Sequence, residues 1–265
     1  MIDKIHICIN KEKEGALEVY DSIVAIAEDK NISIVEDASK AGCVISIGGD
    51  GTFLYSSRTA IEFDIPLLGI NLGRFGYLPF FDANQLETAI ESMNSLIPNE
   101  RLMLKAKIGD EEFLAVNEFV IERKRHERAA RITAMVYDSA LNDSKKHYES
   151  FVCDGVILAT PTGSTAYSSS AGGPALSTDV KAYSVTFSAL HNPRIPPVVV
   201  KDSEVISFEV EEDCVFLCDG RFLKDLSPQQ SITVTGATQT LKVIERPENI
   251  LTRLSESFGG KRPLA

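Results

Sequence analysis

The chain contains no tryptophan, only four histidines and no excess of positive charge: 27 Lys and Arg stand against 38 Asp and Glu, a formal net charge of −11. A sequence-independent grip on nucleic acid or on an anionic membrane needs clustered cations, and no long block of Lys or Arg is present, so neither partner is expected. No stretch approaches the roughly 18 apolar residues that cross a bilayer. The start, MIDKIHICIN, alternates like a strand and lacks the apolar run of a secretory signal. A soluble, cytoplasmic protein is the expectation. A disulfide framework is missing as well. The five cysteines, Cys8, Cys43, Cys153, Cys214 and Cys218, are odd in number and read as reduced core thiols. The close pair in CVFLC has no second Cys or His pair nearby to complete a zinc site.

What is present is apolar material for one large or two modest cores, 44% of 265 residues. Its texture changes near residue 100. Before it, short β-branched runs (IHICI, ISIV, CVISI, IPLLGI) alternate with helical patterns, one from Glu12 to Asp29 with Leu17, Tyr20, Val24 and Ala27 on one face, another over residues 83–96. Continuous apolar strands suit burial on both faces, so a Rossmann-like parallel sheet with helices is predicted for residues 1–100. From 101 to 247 strand follows strand: RLMLKAKI, EFLAVNEFVIE, ARITAMVYD, HYESFVCDGVILAT, AYSVTFSAL, EVISFEV, CVFLC, SITVTG and LKVIE. This predicts an all-β, sandwich-like domain with one short helix. Residues 248–265 read as a helical tail folding back.

The stretch SIGGDGTFL, residues 46–54, follows a buried strand and precedes a helical pattern, TFLYSSRTAIE. Gly48, Gly49 and Gly51 in that setting suit close approach to phosphate. It is neither a Walker loop nor the G-x-G-x-x-G fingerprint. Asp50, an anion in such a turn, can accept the proton of an attacking hydroxyl or hold a Mg²⁺ that neutralises donor phosphates. Both roles are phosphoryl transfer. A second segment, CDGVILATPTGSTAYSSSAGGP (153–174), carries hydroxyls at Thr160, Thr162, Ser164, Thr165, Tyr167, Ser168, Ser169 and Ser170. Ser164 or Thr165 can cap a short helix that Gly172 and Gly173 end, and the remaining hydroxyls read as a polar ligand surface. The run ERKRHERAAR (122–131) reads as a solvated hairpin.

GGDGT, Asn117-Glu118 in AVNEFVI, and DGVILATPTGSTAYSSSAGGP together resemble, in order and spacing, the three signature motifs of NAD kinases. NLGRFGYL (71–78) and CDG (218–220) are similar to two further family segments, with Cys153 standing where many members have glycine. The resemblance implies transfer of the terminal phosphoryl group of ATP, or polyphosphate, to the 2′-hydroxyl of the adenosine ribose of NAD, with Mg²⁺ or Mn²⁺ carried on the phosphates. It implies Asp50 as general base and Gly48, Gly49 and Gly51 at the phosphates. Gly49, Gly51, Thr52, Phe75, Asn117, Glu118, Asp154, Thr162, Thr165, Ala166, Tyr167, Ser170, Ala189 and His191 are implied around the dinucleotide. A homodimer or homotetramer is the implied assembly. On the GGDGT loop alone, a lipid or sphingoid-base kinase is an alternative, and a non-catalytic NAD(P) sensor is another.

Overall fold

The protein is described by a computed structural model at residues 1–73, 77–125, 127–137, 146–191, 195–246 and 250–258. Four apolar runs of the N-terminal part form Lys4–Ile9 (β1), Ser33–Ile34 (β2), Cys43–Gly48 (β3) and Leu67–Asn71 (β4). They lie in the order β2-β1-β3-β4 and pair parallel throughout, joined by Ala16–Asp29 (α1) and Asp50–Glu62 (α2). Phe81–Asp82 (β5) adds to β4, and Leu86–Ser95 (α3) packs against α1. Every residue of β3 and β4 is buried, which explains their unbroken apolar character. Cys43, Ile45 and Ile47 of β3 share a core with Val19, Ile23 and Ala27 of α1 and with Ala89, Ile90 and Met93 of α3.

Two local expectations are corrected. The first helix begins at Ala16, four residues later than its apolar period suggests, because Gly15 takes a left-handed conformation (φ 76) and serves as its N-cap. Its buried stripe is Ala16, Val19, Ile23 and Ala27, whereas Leu17 is exposed. Two adjacent stripes of this helix are apolar, and tertiary contact selected the one with smaller and β-branched side chains. The second helix begins at Asp50 itself, ahead of the expected TFLYSSRTAIE.

The chain divides into two compact units, Met1–Arg101 with Thr240–Ala265, and Leu102–Gln239. It passes from the first to the second within Asn99–Ile108 (β6). Glu111–Ala115 (β7) pairs back on β6, and Glu118–Arg123 (β8), Ala130–Tyr137 (β9), Lys146–Cys153 (β10) and Gly155–Ala159 (β11) follow. After the four-residue helix Tyr167–Ser170 (α4) come Ala182–Ser188 (β12), Val198–Lys201 (β13), Ile206–Val210 (β14), Cys214–Cys218 (β15), Arg221–Leu226 (β16) and Ser231–Val243 (β17). One antiparallel sheet has the order β13-β12-β11-β8-β15-β16, and a second runs β10-β9-β14-β17. Phe119, Val156, Leu158 and Phe216 of the first share one core with Ile132, Phe208, Ile232 and Val234 of the second, the packing of a sandwich.

Two runs that read as single strands are each a pair of strands from different sheets. EFLAVNEFVIE breaks at Val116-Asn117 and HYESFVCDGVILAT at Asp154, where the chain changes layers. The charged run 122–131 is not a hairpin, since β8 and β9 also belong to different sheets. Within it, Arg123 pairs with Asp154, Lys124 with Asp225, Arg125 with Asp213 and Arg131 with Glu211. The strands β5, β13 and β16 were not anticipated. The tail forms Ile250–Phe258 (α5), and residues 259–265 lie outside the described residues.

In the first unit the ion pair Arg101–Glu245 is buried, at 1% and 6% side-chain exposure. Asn99 Nδ2 donates to the same carboxylate at 2.7 Å, and the guanidinium lies 5.9 Å from the centre of the Phe53 ring. Removing one partner of such a pair strands a buried charge. Glu245→Ala is expected to cost about 3–5 kcal/mol in stability by urea titration, whereas Lys105→Ala, which breaks an exposed pair with Glu112, costs less than about 1 kcal/mol.

Candidate active site

In the first unit the described candidate residues gather at the carboxyl end of β3, where it enters α2. Gly48 ends β3, Gly49 is the N-cap, and Asp50, Gly51 and Thr52 open the first turn of α2. The first helical hydrogen bond runs from Phe53 N to Gly49 O, so the amides before it have no acceptor within the helix. The Asp50 carboxylate is fixed by two backbone donors: Leu78 N reaches Oδ1 at 3.0 Å and Tyr77 N reaches Oδ2 at 3.2 Å. Each oxygen keeps a further lone pair for another proton. The strand β4 leads into a turn in which the Asn71 side chain bonds both N and O of Gly73. Phe75, expected to cover the ligand, lies outside the described residues.

In the second unit Asn117 and Glu118 sit where the chain leaves one sheet for the other, and they are held from several sides. Asp219 and Gly220 form the two-residue turn between β15 and β16, both left-handed (φ 49 and 72). From that turn the Asp219 carboxylate accepts the N–H groups of Val116, Asn117 and Glu118 at 3.1, 2.7 and 3.2 Å. Thr160 donates its hydroxyl to Val116 O at 2.6 Å and its N–H to Asn117 O at 2.8 Å. Gly163 packs so closely that a Cβ there would lie 2.2 Å from Asn117 O, a contact only glycine allows.

This bracing leaves specific polar atoms unused. Asn117 Oδ1, Glu118 Oε2 and Thr162 Oγ1 are buried without hydrogen-bond partners among the described residues. Buried polar groups ordinarily have partners, so orphans at neighbouring positions indicate groups kept for a ligand. Burial first, and then the nearby Asp219 carboxylate, push Glu118 up to about 7.

The hydroxyl-rich segment divides into structural and open members. Thr160, Ser164 and Ser168 are buried and consumed internally: Ser164 donates to Pro161 O and accepts Leu176 N, and Ser168 meets Thr186 at 3.1 Å. Neither Ser164 nor Thr165 caps a helix. The turn Gly163–Thr165 is 3₁₀, and α4 starts after Ala166 with no side-chain cap. Thr165 and Ala166 are half-buried and Ser170 is exposed. Tyr167, at 39% exposure, keeps part of its surface open and hydrogen-bonds Ser188. Asp154, ion-paired with Arg123 at 3.0 Å, lies near enough to push the Tyr167 phenol upward, after burial and Glu122. Ala189 is exposed in a left-handed conformation (φ 46), and the exposed His191 donates its N–H to Val152 O.

The two motif sets match two family models, the ATP-NAD kinase N-terminal domain over residues 29–98 and the ATP-NAD kinase C-terminal domain over residues 116–246. A NAD kinase of Haloarcula marismortui is 34% identical over 259 residues, covering 94% of this chain and 88% of that protein. The chain belongs to the NAD kinase family. A NAD kinase of Caldicellulosiruptor saccharolyticus is 32% identical, covering 89% of this chain and 91% of that protein. Among solved structures, yeast NADH kinase complexed with NADH superposes with a TM-score of 0.82 at 21% identity, over all of this chain and 90% of that one. An Archaeoglobus fulgidus NAD kinase in complex with ATP gives 0.75 at 21% identity, over 97% and 96%. The lipid-kinase and sensor alternatives are not favoured by these matches.

Within this NAD kinase the sequence left Asp219 without a role. Asp219 stands in CDG, a segment similar to the family's, yet its three-amide role needs the fold to be seen. For Glu118 the sign of the pH effect follows from its raised value. Between about 4.5 and 7 the native state holds a proton that the unfolded chain has released, so stability is fully present below 4.5 and falls as pH rises through 7. Glu118→Gln is expected to abolish that decline, and above pH 8 to exceed the parent in stability, as read by melting temperature across pH 4.5–8.5.

Proposed function

We propose that this NAD kinase uses Asp50 as the general base in transferring the terminal phosphoryl group of ATP to the 2′-hydroxyl of the adenosine ribose of NAD. The observation that carries the role is the Asp50 carboxylate, oriented by Tyr77 N and Leu78 N at the opening of α2. The 2′-oxygen forms a bond to the γ-phosphorus while the bond from that phosphorus to the β,γ-bridging oxygen breaks. ADP leaves, and the hydroxyl proton passes to Asp50. Gly48, Gly49 and Gly51, with the first-turn amides of α2, receive the phosphates. Asn117 Oδ1, Glu118 Oε2 and Thr162 Oγ1 hydrogen-bond the dinucleotide, and a Glu118 titrating near 7 can donate as well as accept. Thr52, Asp154, Thr165, Ala166, Tyr167, Ser170, Ala189, His191 and Phe75 complete this reading on the motif resemblance. That similar folds were solved with ATP and with NADH supports the two ligand classes.

A divalent metal, Mg²⁺ or Mn²⁺, belongs to this reading as the partner of the donor's phosphates. Among the described residues no group of three or more His, Cys, Asp or Glu converges on a metal position. With no such cluster among the described residues, the donor's phosphates would be the metal's main ligands, and the remaining lone pairs of the Asp50 carboxylate would be free to add a protein oxygen. The homodimer or homotetramer and the cytoplasmic location also remain part of the proposal. All five cysteines are free, which suits a reducing compartment. No helix among the described residues is long and apolar enough to cross a membrane.

Incubation with NAD, Mg²⁺ and ATP or polyphosphate, with product coupled to an NADP-specific dehydrogenase, is expected to yield NADP; its absence with both donors overturns the function. Asp50→Asn is expected to keep NAD affinity within a few-fold and to lower turnover by about 10² or more. Turnover near the parent's would remove Asp50 from the base role.

A further inference from the structure

A cation sits over the glycine loop in the first unit. Asn10 N donates to Ile47 O at 3.1 Å, so the segment after β1 starts alongside the end of β3. The Asn10 side chain then accepts Glu12 N and its carbonyl accepts Lys13 N, both at 3.1 Å, closing a turn that Gly15 converts into α1. Through this turn Lys13 Nζ comes to lie where a Cβ on Gly49 would be 2.7 Å away and one on Gly73 would be 3.4 Å away. At Gly49 the missing Cβ leaves the space that the ammonium occupies, whereas a Cβ on Gly73 would only touch it. Its place is also a topological one. In the order β2-β1-β3-β4 the connections from β1 and β3 leave in opposite directions, and loops part at such a switch point to admit a ligand.

Among the described residues Lys4, Lys11, Lys107, Lys181 and Lys201 form no ion pair, but all five are exposed to water; Lys13 differs in being half-buried. The chain carries 38 acidic residues, and Lys30, Lys40, Lys105, Lys124, Lys224 and Lys242 each pair with one. Lys13 is half-buried and forms no ion pair with any described residue. An ammonium placed over a glycine loop, beside unbonded first-turn amides and without a carboxylate of its own, matches an anionic ligand.

We propose that Lys13 binds an anionic phosphate oxygen of the phosphoryl donor, an inference that rests on the NAD kinase reading of the GGDGT loop. Gly49 adjoins Asp50, the residue that takes the acceptor's proton, so the ammonium lies beside the group in transfer. There it offsets the negative charge of the triphosphate and the charge that grows on departing ADP.

Lys13→Met keeps most of the side-chain volume and removes the charge. It is expected to raise KM for ATP about 10- to 100-fold, with KM for NAD within about twofold. Lys13→Arg is expected to recover part of the loss. Inorganic tripolyphosphate, which lacks the nucleoside, should raise the melting temperature of the parent but not that of Lys13→Met, while the two ligand-free proteins melt alike. An unchanged KM for ATP with an unchanged tripolyphosphate shift overturns the proposal, as does a rise confined to KM for NAD. If the parent makes no NADP yet its tripolyphosphate shift still depends on Lys13, the anion site stands and the kinase reading falls.

Discussion

The second unit depends on one electrostatic constraint: three consecutive backbone N–H groups, at Val116, Asn117 and Glu118, must find acceptors where the chain steps between sheets. No neighbouring strand can supply them at a layer change, and leaving each unmet costs roughly 1–3 kcal/mol. The Asp219 carboxylate meets all three from a left-handed turn, and Asp219 N–H returns a bond to Glu118 O at 3.0 Å. With the backbone satisfied there, the Asn117 and Glu118 side chains are released from structural duty. Burial raises the proton affinity of Glu118 most, and the same anion that fixes the backbone adds to it.

The first unit meets its constraint differently. A parallel sheet exposes strand ends rather than edges to ligand, and the amides of α2 face outward there without acceptors in the helix. The sequence places a carboxylate among these donors, then ties it to Tyr77 and Leu78 so that its direction is set before any ligand arrives. Preorganisation of this kind avoids reorienting a charge during reaction.

Legibility in the sequence followed periodicity and broke where periodicity breaks. The α/β and sandwich parts were readable because buried parallel strands are continuously apolar and sandwich strands are short. The strand breaks at Asn117 and Asp154 were hidden, since an apolar run reads alike whether it stays in a sheet or changes sheet. Hydroxyl counting overstated the ligand surface: Thr160, Ser164 and Ser168 are hydrogen-bonded inside the unit, and only geometry separates them from Thr162. Lys13 could not be found by pattern, because its position follows from a turn anchored to another strand.

The pairing of Arg101 with Glu245 joins residues 144 positions apart, and Ile244 beside it belongs to the core beneath β3 and β4. During synthesis Arg101 leaves the ribosome long before its partner exists. Until the chain has grown past residue 245, the first unit lacks both the carboxylate that neutralises the guanidinium and an apolar side chain of its own core. The intervening residues 102–239 carry a complete sandwich core and need nothing from that late segment. Order of emergence therefore favours the β unit maturing first, with the core of the first unit closed only once residues 240–245 have been made.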